Sequence, residues 1–180
     1  MPIQRAKPKF SDVKNVSIAA STLPAGSIIQ TKQTVVTDHL SIVTSQTPSA
    51  ITGMNISITP SSSSNKIMIF ANIVVSHNSF GNHQLYLYRD STPVGIGIAS
   101  SSSPRATSPL TNRAESQYEA IVRTINYIDS PSTTSAITYA LYASDSWDGN
   151  ALKYNRPYNN DSTVDDGSYI STITAMEIKG

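Results

Sequence analysis

The stretch Lys66-Ile67-Met68-Ile69-Phe70-Ala71-Asn72-Ile73-Val74-Val75 decides the fold. Read with a period of two, Ile67, Ile69, Ala71, Ile73 and Val75 fall on one side and Met68, Phe70 and Val74 on the other. That alternation belongs to a β-strand rather than a helix. Apolar residues on both sides predict a central strand covered on both faces. Pro60 and the serines at 61–64 stop the chain just before it, as a turn cluster does.

On the N-terminal side, Met54, Ile56 and Ile58 alternate with Asn55, Ser57 and Thr59, a strand with one wet face that ends at Pro60. Residues 28–36 form an earlier strand. On the C-terminal side, Leu85 and Leu87 oppose Tyr86 and Tyr88 within a strand at 83–89. Arg89-Asp90-Ser91-Thr92-Pro93 then predicts a turn and residues 94–98 the return of a hairpin. Further strands are expected at 118–127, at 136–143 after the turn Asp129-Ser130-Pro131-Ser132, and at 169–178. Two polar stretches, 100–113 and 145–167, are expected as long loops. About eight strands and no amphipathic helix predict an all-β chain: an antiparallel two-sheet sandwich of jelly-roll type over 24–180, preceded by an extended N-terminal arm at 1–23.

Composition narrows the function classes. Charged residues make up 14% of the 180 residues and the formal net charge is +1, so neither nucleic acid nor an anionic membrane is an expected partner. There is no cysteine, which removes disulfides, thiolate zinc sites and cysteine nucleophiles together. No apolar run reaches the roughly 20 residues that span a bilayer, and MPIQRAKPKF has no signal-like core. A soluble product made in the cytoplasm of the producing cell is expected. Ile28, Ile29, Val35 and Val36 add more apolar strand surface than a thin sandwich requires, which predicts a homo-oligomer.

Several short pieces carry a family resemblance: Leu23-Pro24-Ala25-Gly26-Ser27-Ile28-Ile29-Gln30, Ile56-Ser57-Ile58-Thr59-Pro60 with its serine run and Lys66-Ile67, Tyr88-Arg89-Asp90-Ser91, Tyr127-Ile128-Asp129-Ser130-Pro131 and Ile173-Thr174-Ala175-Met176-Glu177-Ile178. In these the chain resembles small β-sandwich virion proteins of tailed bacteriophages of marine and freshwater (cyanophage-like) type. The resemblance implies a structural module on a virion surface, either capsid decoration (cement) or the head of a tail fibre.

No pattern points to catalysis. His39, His77 and His83 share no zinc motif, and the last two are expected as solvated residues flanking a turn at 79–82. Serine is abundant, yet no G-x-S-x-G elbow occurs. Glu115 and Glu119 would sit far apart on one strand face rather than as a glycosidase pair. Asp161, Asp165 and Asp166 with Asn159 and Asn160 could offer oxygen ligands to calcium, but match no EF-hand spacing. Gly95-Ile96-Gly97 is followed by no helix that could hold a phosphate. No catalytic residue, metal ligand or cofactor is therefore expected, and the chain is read as non-enzymatic.

Two groups remain as interface or ligand candidates. Arg5, Lys7, Lys9 and Lys14 in the arm alternate with prolines and small residues and cannot build a core of their own. Trp147, Tyr154, Arg156 and Tyr158, with Asp148 and Asn155, form an aromatic and amide-rich constellation suited to a protein hot spot, to a host surface glycan, or simply to packing on the sandwich. The expected protein is a capsid-decorating trimer on the major capsid protein of a virion, with a glycan-recognising fibre module as the alternative.

Overall fold

A computed structural model describes residues 19–43, 45–77, 83–100, 103, 105–111, 119–145, 151–159 and 167–180. Residues 1–18 of the arm, with Arg5, Lys7, Lys9 and Lys14, lie outside them, as do Trp147, Asp148, Asn160, Asp161, Asp165, Asp166 and Glu115. Among the described residues the chain is all-β: β1 (Ile28–Val36), β2 (Leu40–Val43), β3 (Ser49–Ile58), β4 (Lys66–Ser76), β5 (His83–Arg89), β6 (Thr92–Val94), β7 (Ser108–Thr111), β8 (Ile121–Asp129), β9 (Ile137–Asp145), β10 (Ala151–Tyr154) and β11 (Ser171–Ile178). A short 3-10 turn, Ala20–Thr22, precedes β1.

These strands form two antiparallel sheets. In the first, β4 is the hub: β8 runs along one edge, while β11 and then β10 share the other, extended outward by β1 and β2. In the second, β9 lies between β3 and β5, and β6 and β7 divide the far edge of β5. The hairpin return was expected over 94–98. It is instead three residues long, because Thr107 and β7 take over that edge and leave Ile98 90% exposed.

The sandwich is assembled by alternation. Ile67, Ile69, Ile73 and Val75 of β4 are fully buried and meet Ile58, Leu85, Leu87, Tyr139 and Leu141 from the second sheet. Gly53 sits at the irregularity in the pairing of β3 with β9 with φ +79, where a side chain would meet Val36 Cγ2 at 3.1 Å. Glycine is the residue that adopts this conformation without a steric penalty.

Polar groups that fall on the inner side are tied. Asp129 of the first sheet accepts from Arg89 Nη1 at 2.7 Å and Tyr139 Oη at 2.6 Å, both of the second sheet. Glu177 is fully buried and accepts from Gln30 Nε2, Asn65 Nδ2 and Ser61 N, each at 2.6 Å, and from Ser61 Oγ at 2.8 Å. Burial opposes its ionisation, but these donors outweigh it and hold the carboxyl below the usual carboxylate value.

Candidate functional site

A two-sheet sandwich has two outer faces, and here they differ in chemistry. On the first sheet the register sets side chains in rows: Thr31, Met176, Met68 and Ile128; then Gln33, Thr174, Phe70 and Asn126; then Val35, Thr172, Asn72 and Thr124; then Val74 beside Val122. None of these residues carries a charge. Val122 is 57%, Ile128 51% and Val35 48% exposed, and Met68, Phe70 and Met176 between them are partly exposed. The polar members bond sideways within the face, Gln33 Nε2 to Thr174 Oγ1 at 3.0 Å and Thr124 Oγ1 to Asn72 Oδ1 at 2.8 Å.

This corrects the expectation that β4 is covered on both faces. Its second apolar side looks outward: Val74, 8% exposed, is buried by the chain itself, whereas Met68 and Phe70 stay partly exposed. Strand spacing and rise make the face about 20 Å by 25 Å, with its apolar side chains interleaved with threonines, asparagines and a glutamine. Ile28, 56% exposed, adds apolar area nearby in β1, whereas Val36 is buried in the core.

The second sheet presents tyrosines. Tyr86 and Tyr88 of β5 stand beside Tyr142 of β9; the Tyr88 and Tyr142 rings lie 4.1 Å apart and tilted, and Tyr86 meets Tyr88 edge-on at 6.4 Å. Tyr86 is anchored by a 3.0 Å bond with Ser144 Oγ, while Tyr88 and Tyr142 are partly exposed. Burial, with the neighbouring Tyr86 and Tyr142, raises the Tyr88 phenol above its ordinary value. The strand alternation of leucine with tyrosine in 85–88 is the sequence signal for this face.

The aromatic constellation read from the sequence is divided by the fold. Tyr154 is 3% exposed and fills the core between the sheets; its hydroxyl is buried without a partner among the described residues, and burial raises its pKa. Arg156 and Tyr158 are partly exposed, and Lys153 Nζ lies 5.4 Å over the Tyr158 ring. Between them Asn155, at φ +59, knots the β1–β2 turn to β4 and β11. Its Nδ2 donates to Val36 O and Asp38 O at 2.9 and 3.1 Å, its Oδ1 accepts from Ser171 Oγ at 2.7 Å, and its N–H donates to Val74 O at 3.1 Å.

The histidines also differ from expectation. His39 is exposed, but His77 and His83 are 2% and 0% exposed rather than solvated, with ring centroids 5.1 Å apart. Strand β4 runs to Ser76 and β5 begins at His83, so the inward period of Val75 and of Leu85 carries both imidazoles inside. There His83 Nε2 lies 3.5 Å from Asp145 Oδ2. Among the described residues no group of three histidines or carboxylates could hold a metal ion, and no helix is long and apolar enough to cross a membrane.

No protein-family model matches the sequence, and no curated protein does. Solved structures similar to it include chains of infectious bursal disease virus. A chain of the Gt strain shares 12% identity at a TM-score of 0.43 over 93% of this chain and 43% of that one. The virus-derived T=1 particles give 11%, 0.42, 93% and 44%, and the VP2 subviral particle 10%, 0.38, 92% and 45%. The chain thus spans less than half the length of these proteins.

Proposed function

We propose that this chain is a non-enzymatic structural protein of a virus particle, a capsid-decorating protein of a tailed bacteriophage that works as a homo-oligomer, a trimer, on the major capsid protein. The observation that carries the reading is the partly apolar outer face of the first sheet, whose middle rows carry no charge and where Val122, Ile128 and Val35 remain half-exposed, with Lys66 and Lys153 only at its two ends. Covering its apolar side chains lowers the free energy, and a contact confined to the middle rows takes no ion out of water. The sequence resemblance to small phage virion sandwiches supports the same reading.

Arg5, Lys7, Lys9 and Lys14 complete it as a tether. Basic residues on a segment without core-forming content order against an acidic partner. Many weak contacts repeated by particle symmetry then add through multivalency.

The test is copy number in purified particles of the virus that encodes the chain. Decoration requires on the order of hundreds of copies, one set for each repeated capsid position. A few copies confined to the tail would replace this reading by that of a fibre module, and particles lacking the chain would end both. The tyrosine face of the second sheet is the observation that favours the fibre alternative, and Tyr158 and Arg156, with Trp147, remain interface candidates under either reading.

A further inference from the structure

We infer that the outer face of the second sheet binds neutral carbohydrate, with the mutually packed rings of Tyr88 and Tyr142 as its apolar contact. The inference rests on this face alone and not on where in a particle the chain resides. A sugar ring presents weakly apolar C–H faces rimmed by hydroxyls and carries no charge. A surface that recognises it needs aromatic ring faces, planar amides and hydroxyls, and no unpaired ion that would lose its hydration on contact.

The register delivers that set. Tyr88 lies between Ala140 and Pro93 across its two neighbouring strands, and Tyr142 lies opposite Tyr86. The small side chain of Ala140 leaves the tyrosine rings standing above the sheet. Asn55, exposed and paired with Ala140, supplies an amide beside them, and Ser57 and Thr138 supply hydroxyls, bonded to each other at 2.7 Å. The carboxylate at the rim, Asp90, already accepts from Thr138 N at 2.9 Å.

A protein partner is less well matched. Protein interfaces bury aliphatic and aromatic cores, and the opposite outer face has them in Met68, Phe70, Val122 and Ile128. The tyrosine rows contain no leucine, isoleucine, valine, methionine or phenylalanine. Their apolar area is ring surface capped by hydroxyls, the form suited to a wet, hydroxyl-rich ligand.

The experiment titrates the full chain with neutral hexasaccharides of glucose, mannose and galactose, following tyrosine fluorescence and amide resonances. At least one sugar should bind in the millimolar range or tighter and shift the amides of residues 84–88 and 140–144. Tyr88→Ala and Tyr142→Ala should each weaken binding at least tenfold, while Ser63→Ala in the exposed turn before β4 leaves it unchanged. No binding by any of the three sugars, or shifts confined to other parts of the chain, would overturn the inference. The resonance map of the unsubstituted protein decides the matter even if an alanine variant fails to fold.

Discussion

The hydroxyl of Tyr139 donates to the carboxylate of Asp129 at 2.6 Å across the interval between the two sheets. Arg89 reaches the same oxygen from the strand beside Tyr139, so one carboxylate on the edge strand β8 collects two donors from the facing sheet. Tyr139 is fully buried, and burial together with the bond to Asp129 raises its pKa. The phenol therefore stays a proton donor throughout the ordinary pH range.

Replacing Asp129 by Ala strands the Tyr139 hydroxyl and frees the Arg89 guanidinium, and is expected to cost about 2–4 kcal/mol. Tyr139→Phe leaves the arginine contact in place and should cost about 1–2 kcal/mol. Urea unfolding of the two single variants and the double variant reads the coupling. Additive losses would mean that the bond contributes nothing across the sheets.

Glu177 gives a pH dependence whose direction is fixed. Its folded value lies below the ordinary 4.5 because the four hydrogen bonds outweigh the opposing effect of burial. A carboxyl depressed in the folded state contributes stability that is fully present above its unfolded value and is lost as pH falls through the folded one. Thermal stability should therefore decline below about pH 4.5 in the native chain. Glu177→Gln should be less stable at pH 7 and show a shallower acid slope. Identical slopes for the two proteins would remove Glu177 from the explanation.

Much of this fold is legible in the sequence, and the parts that are not share a cause. Strands β1 and β5 begin and end where alternation and turn residues place them. Strands β7 and β10 fall within the polar stretches expected as loops, and β2 lies in a segment where the sequence predicts no element. Each is only four residues long, too short for a period to emerge. Leu152 and Tyr154 become a strand because Ile42 and Val75 offer them a ladder, which is tertiary information. The same holds for His83, whose burial beside Asp145 depends on a strand far along the chain. The dual apolar character of β4 was readable, but whether anything covers its second side was not.

That second side makes a separable prediction. Val122 and Ile128 are more than half exposed, so Val122→Asp and Ile128→Asp together should change the stability of the isolated sandwich by no more than about 1 kcal/mol. The pair of charges should nevertheless abolish self-association, because each must be desolvated in any contact. Light scattering at micromolar concentration reads the mass. An unchanged oligomer would assign the contact elsewhere, and a native chain that is already monomeric would end the proposal of a homo-oligomer through this face.

The last prediction concerns Asn155, which serves as both a backbone corner and a side-chain knot. At φ +59 an ordinary residue pays about 1–2 kcal/mol, and asparagine and glycine less. Its amide also satisfies the carbonyls of Val36 and Asp38 and holds Ser171 Oγ, which in turn accepts from Val74 N at 3.0 Å. Asn155→Gly keeps the corner and loses the knot; Asn155→Ala loses both. Alanine should therefore be less stable than glycine by about 1 kcal/mol, and both less stable than the native chain by about 2–4 kcal/mol, since buried partners are left unsatisfied. Ser171→Ala removes one arm of the same network, so its cost should shrink in the Asn155→Gly background. Equal stability of the glycine and native proteins would show that the side-chain bonds add nothing, and alanine matching glycine would show that the corner imposes no strain.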